Sequence, residues 1–161
     1  MTKSSDKTNA MRLLDAHKAS YIPHYIARDE ALSAAEAAAA LGFEPERVFK
    51  TLVTVGHSGA HYVFMLPATA ELDLKKAALC AGEKSVEMIK ARELLPLTGY
   101  IHGGCSPIGM KKPFPTFIER SAENFETVIF SAGKIGCHIE AVVSVLREIT
   151  GAKSADIAAY K

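Results

Sequence analysis

The sequence predicts an α+β fold, a mixed α/β single domain in which helices flank a central, largely antiparallel sheet or open barrel. Three observations carry that expectation. The chain of 161 residues fits one domain, 1–161, and is long enough to bury a core. The runs 48–66 and 126–141 each hold β-rich segments around a glycine-containing turn, which reads as two hairpins. Segments with helical spacing of apolar residues lie between and around them, with no internal repeat and no linker.

The elements follow in order. Thr8 to Lys18 reads as a helix with Met11, Leu14 and Lys18 spaced for one face. YIPHYI (21–26) is extended, and Pro23 confines it to an edge or an irregular strand because proline lacks the N–H a central strand needs. Ser33 and Glu36 form a capping box ahead of AEAAAALG, and Gly42 stops that helix. VFKTLVTV (48–55) and HYVFML (61–66) pair through Gly56-His57-Ser58-Gly59. LDLKKAALCAG gives a helix from near Asp73 to Gly82.

SVEMI is a short strand, KARELL a short helix broken at Pro96, and TFIER (116–120) leaves the loop that follows. ETVIFSAGKIGCHIEA is the second hairpin, with Ala132-Gly133-Lys134 expected in its turn. VVSVLREITG closes the chain as a helix, its core face made by Val142, Val145, Leu146 and Ile149.

Composition narrows the function classes. Hydrophobic residues make up 48% and charged residues 23%, ordinary values for a globular protein. No segment approaches the ~18 consecutive apolar residues of a membrane span. The opening MTKSSDKTNA lacks the apolar core of a secretory signal. Three cysteines, Cys80, Cys105 and Cys137, are too few for a disulfide framework and fit a reducing compartment, so a cytoplasmic location is expected. A net charge of +1 excludes the basic excess of a protein that wraps long nucleic acid. Any such footprint is local, at Lys75-Lys76 or Lys111-Lys112, pairs that otherwise read as solvated faces.

The stretch GYIHGGCSPIGMKKP (99–113) is the main candidate for chemistry. Gly103, Gly104 and Gly109 permit close backbone approach, and Pro107 stiffens the loop. Its N–H groups suit a carbonyl or an anion, yet it has neither the Walker A nor the dinucleotide spacing, and a tight structural turn remains the competing reading. Cys105 and Ser106 are nucleophile candidates with His102 near in sequence, but G-G-C-S-P is not a nucleophile elbow. A zinc site from His102, Cys105, Cys137 and His138 is disfavoured, because adjacent strand residues 137 and 138 face opposite ways. Lys50, inside V-F-K-T-L-V, sits in a strand apolar on both faces and either snorkels out or serves a site.

F-K-T-L-V at 49–53, G-Y-I-H-G-G-C-S-P-I-G-M-K-K at 99–112 and S-A-G-K-I-G at 131–136 resemble, in order, the YbaK/EbsC family of aminoacyl-tRNA deacylases. That family is related to the editing domain of bacterial prolyl-tRNA synthetase, and the resemblance runs over nearly the whole chain. It implies a trans-editing hydrolase that cleaves the ester joining a wrong amino acid to the 3′ end of tRNA, foremost Cys-tRNA(Pro), or else an ester of Ala, Ser or Thr. The need follows from energetics, since shape selection among small side chains discriminates weakly and a second sieve corrects it.

Carried over by match, the resemblance makes Lys50 the essential lysine, acting on the phosphate or sugar region of the terminal adenosine. Gly103, Gly104 and Ser106 would wall the aminoacyl group with backbone N–H groups toward its carbonyl. Thr51, Cys105, Pro107 and Ser131 would lie on the substrate side, with Lys111 and Lys112 near the acceptor end. Family members carry a tyrosine in the early strand, near Tyr25 or Ile26 here, and some carry an acidic side chain where this chain has His138. The resemblance implies no cofactor and no metal, a mischarged tRNA as partner, and prolyl-tRNA synthetase as a transient one. It also implies that the substrate's own thiol or a water, not a protein nucleophile, attacks the ester. A non-catalytic tRNA- or synthetase-binding module is the alternative of a different class.

Overall fold

Capping chemistry sets the helices of the computed structural model, which describes residues 7–27 and 30–160; the opening MTKSSD, Arg28, Asp29 and Lys161 lie outside the described residues. Helix α1 (Asn9–Ala16) starts where the Thr8 hydroxyl accepts the Met11 N–H, and buries Ala10, Met11 and Leu14. It ends two residues before the expected Lys18, which is exposed and turns the chain at φ 56°. Helix α2 (Ala34–Leu41) has the reciprocal Ser33–Glu36 capping box and a left-handed Gly42. Asp73 caps α3 (Leu74–Ala81) by accepting the Lys76 N–H at 3.0 Å.

Helix α4 (Ala91–Thr98) runs through Pro96 instead of breaking there. Pro96 and Arg92 are both exposed, so the Arg92 carbonyl that loses its partner faces solvent. At the start of α4 the Glu93 carboxylate accepts the Lys90 N–H (2.8 Å), and the Thr98 hydroxyl donates to the Leu94 carbonyl (2.7 Å). Helix α5 (Val143–Thr150) buries Val143 and Leu146, with Val145 and Ile149 packed at the margin. Val142, expected on that core face, is instead the exposed residue at the cap.

The expected mixed sheet is present, and it is divided. Strands β1 (Ile22–Tyr25), β7 (Thr127–Lys134) and β8 (Cys137–Val142) form an antiparallel sheet in the order β1-β8-β7. Pro23 lies in its edge strand, as a missing N–H requires. Strands β2 (Phe49–Gly56), β3 (His61–Pro67), β5 (Val86–Met88), β6 (Thr116–Glu119) and β9 (Lys153–Ala155) form the larger sheet, in the order β5-β2-β3-β6-β9. Its first three strands are antiparallel, and β3-β6-β9 are parallel. Strands β4 (Ala70–Leu72) and β10 (Ala158–Tyr160) pair separately. Among the described residues a parallel bridge, Val48 to Ile129, ties the two larger sheets, which do not close into a barrel.

The main core fills the space where helices α1 and α5 meet both sheets. Met11, Leu14 and Leu146 pack there with Phe49, Met65, Ile118, Phe130 and Ile139. A parallel β3–β6 pair demands a long connection. That connection carries β4, α3, β5, α4 and the loop 99–113, and so brings the loop back beside the start of β2.

Candidate active site

A cleft of about 260 Å³ opens at the first half of β2. Val48 to Leu52 form one side, residues 32–34 at the start of α2 a second, Leu94, His102, Gly103 and Cys105 a third, and Ser131 and His138 a fourth. Lys50 is half-buried, directly across from Leu66 on β3, while Thr51 stands across from Met65. Thr51 Oγ1 is sealed from solvent with no hydrogen-bond partner among the described residues.

The second hairpin explains how the loop is seated. Its turn is Ile135-Gly136, one step beyond the expected Ala132-Gly133-Lys134. Ala132 and Gly133 instead form a bulge, with Ser131 opposite His138 and Lys134 opposite Cys137. Both Gly133 and Gly136 are turn residues by type, and pairing of the apolar Cys137 side with the core selects the later one. The glycine loop packs on this hairpin. A Cβ on Gly104 would lie 3.1 Å from the Ile135 backbone nitrogen, so glycine is what allows that approach. Gly103 has φ +85°, and a Cβ there would meet that of Ala31 at 2.4 Å.

The loop's polar groups divide between structure and cleft. The Gly104 N–H donates to the Ile101 carbonyl (3.0 Å). Ser106 is fully buried and its hydroxyl oxygen accepts the Ile108 N–H (3.2 Å). Among the described residues no hydrogen bond engages the N–H of Gly103 or of Cys105, both of which line the cleft. Burial pushes the Cys105 thiol up to about 12, against a smaller opposing effect of a hydrogen bond with Thr98.

His138 is a neutral imidazole. Burial first, and the neighbouring His24 second, push its pKa down to about 4. Its Nδ1 has no hydrogen-bond partner among the described residues. His24 lies directly across on β1 and gives its Nε2 to Glu140 Oε1 at 2.8 Å. Glu140 also binds Arg47 (2.8 Å) and the Thr127 hydroxyl (2.7 Å). Burial works to raise the Glu140 pKa, but the Thr127 and His24 hydrogen bonds and the Arg47 charge together hold it below the usual carboxylate value. Arg47 stacks over Phe43 at 4.9 Å, so this network stiffens the wall behind His138. Glu140 was legible as the residue two places after His138, on the same strand face; Arg47 joins it only through the fold.

Lys50, Thr51, Gly103, Cys105, Ser131 and His138 thus meet in one cleft. The other expected site residues lie elsewhere. Gly104 and Ser106 are buried in the body of the loop. Pro107 and Lys112 line a separate depression with Ile108 and Phe114. Lys111 is exposed, its stem against Gly99, and Tyr25 is 40% exposed on the edge strand opposite Cys137. The four residues of the disfavoured zinc site do not converge, since Cys137 points into the core and His138 into the cleft. Among the described residues no three His, Cys, Asp or Glu side chains are grouped for a metal ion.

Comparison with known proteins gives the family. The family described as aminoacyl-tRNA editing domain matches residues 28–149. EbsC of Enterococcus faecalis, a candidate Cys-tRNA(Pro)/Cys-tRNA(Cys) deacylase, is 46% identical over 96% of this chain and 95% of its own. The proline–tRNA ligase of Shouchella clausii is 31% identical over 70% of this chain, which corresponds to 19% of that enzyme. Among solved structures, a candidate trans-editing enzyme for prolyl-tRNA synthetase superposes with a TM-score of 0.83 at 26% identity, covering 99% of both chains. Matched over most of its length by the family and over nearly all of it by EbsC, this chain belongs to the aminoacyl-tRNA editing domain family.

Proposed function

We propose that the cleft takes the aminoacylated 3′ end of a mischarged tRNA and hydrolyses its ester, with Cys-tRNA(Pro) as the foremost substrate. The observation that carries this reading is the meeting of Lys50 with the glycine loop, Thr51 and His138 in one cleft. Cys105 is held as a thiol, and the Ser106 hydroxyl is buried in the loop's own hydrogen bonding. The relatives named above act, by their descriptions, on this class of substrate.

In this reading the Lys50 ammonium offsets charge on the terminal adenosine and fixes the ester, and the Gly103 and Cys105 N–H groups face its carbonyl. Water adds to the acyl carbon, the bond from that carbon to the ribose oxygen breaks, and the ribose oxygen takes up a proton. The products are the free amino acid and intact tRNA. For cysteine, the substrate thiol can make the first attack, its proton passing to the ribose oxygen, and water then opens the cyclic thioester. The working unit is one editing domain over 1–161, acting in the cytoplasm with prolyl-tRNA synthetase as a transient partner. Among the described residues no helix is long and apolar enough to cross a membrane.

Single-turnover deacylation of Cys-, Ala- and Pro-tRNA(Pro) tests the reading. Rapid loss of cysteine alone supports it, loss of alanine instead moves the specificity, and no loss from any of the three overturns hydrolysis in favour of a binding module.

A further inference from the structure

His138 Nδ1 is walled off from solvent and unpartnered, although polar groups stand on both sides of it. Across the sheet on one side, His24 commits its Nε2 to Glu140. On the other, the Ser131 hydroxyl oxygen accepts the Gly133 N–H at 3.1 Å. Glu140, on the same face of β8, spends its carboxylate on His24, Arg47 and Thr127. Since Nδ1 has no hydrogen-bond partner among the described residues, a proton placed there would have no acceptor. A buried N–H without an acceptor is rarer and more costly than a buried lone pair without a donor. The neutral ring therefore carries its proton on Nε2, and with Nδ1 sealed, Nε2 is the nitrogen that the cleft can reach.

A neutral imidazole presenting Nε2–H is a donor only. It cannot accept a hydrogen bond from the α-ammonium of an aminoacyl ester, and the group it suits is an oxygen. We infer that His138 donates its Nε2–H to the carbonyl oxygen of the bound aminoacyl ester and strengthens that bond as negative charge develops there. This rests on the deacylase reading. No proton leaves the ring, so the step adds a hydrogen bond and changes no atom balance. The Arg47–Glu140–His24 network fixes the strand that carries the ring, which is what a preorganised donor needs.

Two variants and one spectrum test it. His138→Gln places an amide N–H near the Nε2 position, whereas His138→Leu keeps the bulk and removes the donor. In single-turnover hydrolysis of Cys-tRNA(Pro), His138→Leu is expected to slow the saturated rate about 100-fold with little change in the half-saturating concentration, and His138→Gln to stay within about 10-fold of wild type. A wild-type rate for His138→Leu overturns the inference while leaving the deacylase reading in place. The wild-type protein, labelled with ¹⁵N on its histidine rings, gives the proton's position without any variant. A proton on Nε2, with its resonance shifted by a stable amide analogue of 3′-cysteinyladenosine, supports the inference; a proton on Nδ1 overturns it. Should the wild type hydrolyse none of the esters, the deacylase reading fails on that result, and the spectrum still decides the donor role.

Discussion

Burial pushes the Cys105 pKa up to about 12, so the side chain is a thiol at pH 7. A thiol in that state is a wall of the cleft and nothing more. Cys105→Ala is expected to retain hydrolysis of Cys-tRNA(Pro) within about threefold of wild type, and iodoacetamide to leave the wild-type rate unchanged. As the residue proposed to fix the ester, Lys50 is expected on substitution by Ala to cost at least about 100-fold in the same single-turnover assay. His138 adds a pH signature. Its folded pKa, about 4, lies below the unfolded value of 6.5, so between those limits the unfolded chain binds the proton and the folded one does not. Stability at this residue is complete above pH 6.5, falls as the pH drops toward 4, and levels off below. Urea midpoints at pH 7 and 4.5 should fall further in wild type than in His138→Gln.

At the scale of elements, legibility followed the length of the signal. The capped helices and the β2–β3 hairpin announce themselves because side-chain caps and two-residue alternation are local chemistry. Strands β4, β9 and β10, three residues each, were missed because none stands in a longer β-rich run, whereas β5, equally short, lies within SVEMI. Pro96 misled for a related reason: the rule against proline in helices weighs a lost hydrogen bond, and here solvent meets the freed carbonyl. The glycine loop was legible as special, but which glycine does what depends on the hairpin it packs against. That dependence is testable. Gly103→Ala places a Cβ against Ala31 in a left-handed backbone conformation, so it should destabilise by about 1–3 kcal/mol and slow hydrolysis. Gly42→Ala, at φ +79° with nothing within 4 Å of the added Cβ, should cost about 1 kcal/mol in urea unfolding and leave hydrolysis unchanged.

Across the whole molecule the decisive quantity is charge. A whole-chain net charge of +1, with Lys50 the one lysine lining the cleft among the described residues, suits a protein that grips only the end of a nucleic acid. Each phosphate neutralised contributes about 0.7–0.9 to the slope of log affinity against log salt, so a body-wide grip on tRNA would give a slope of many units. Three contacts, from Lys50 and the exposed Lys111 and Lys112, give a slope of about 2–3. The same argument predicts that an acceptor-stem minihelix binds nearly as well as full-length tRNA. Lys111→Ala and Lys112→Ala should each lower the slope by up to about 1 without changing which amino acid is removed, since both lie outside the cleft that reads it. Titration of the wild-type protein with tRNA(Pro) carrying a non-hydrolysable amide-linked cysteine, at several salt concentrations, measures this directly. A slope near 8 would mean that surfaces far from the cleft bind the tRNA, and a minihelix bound much more weakly than tRNA would say the same by a second route.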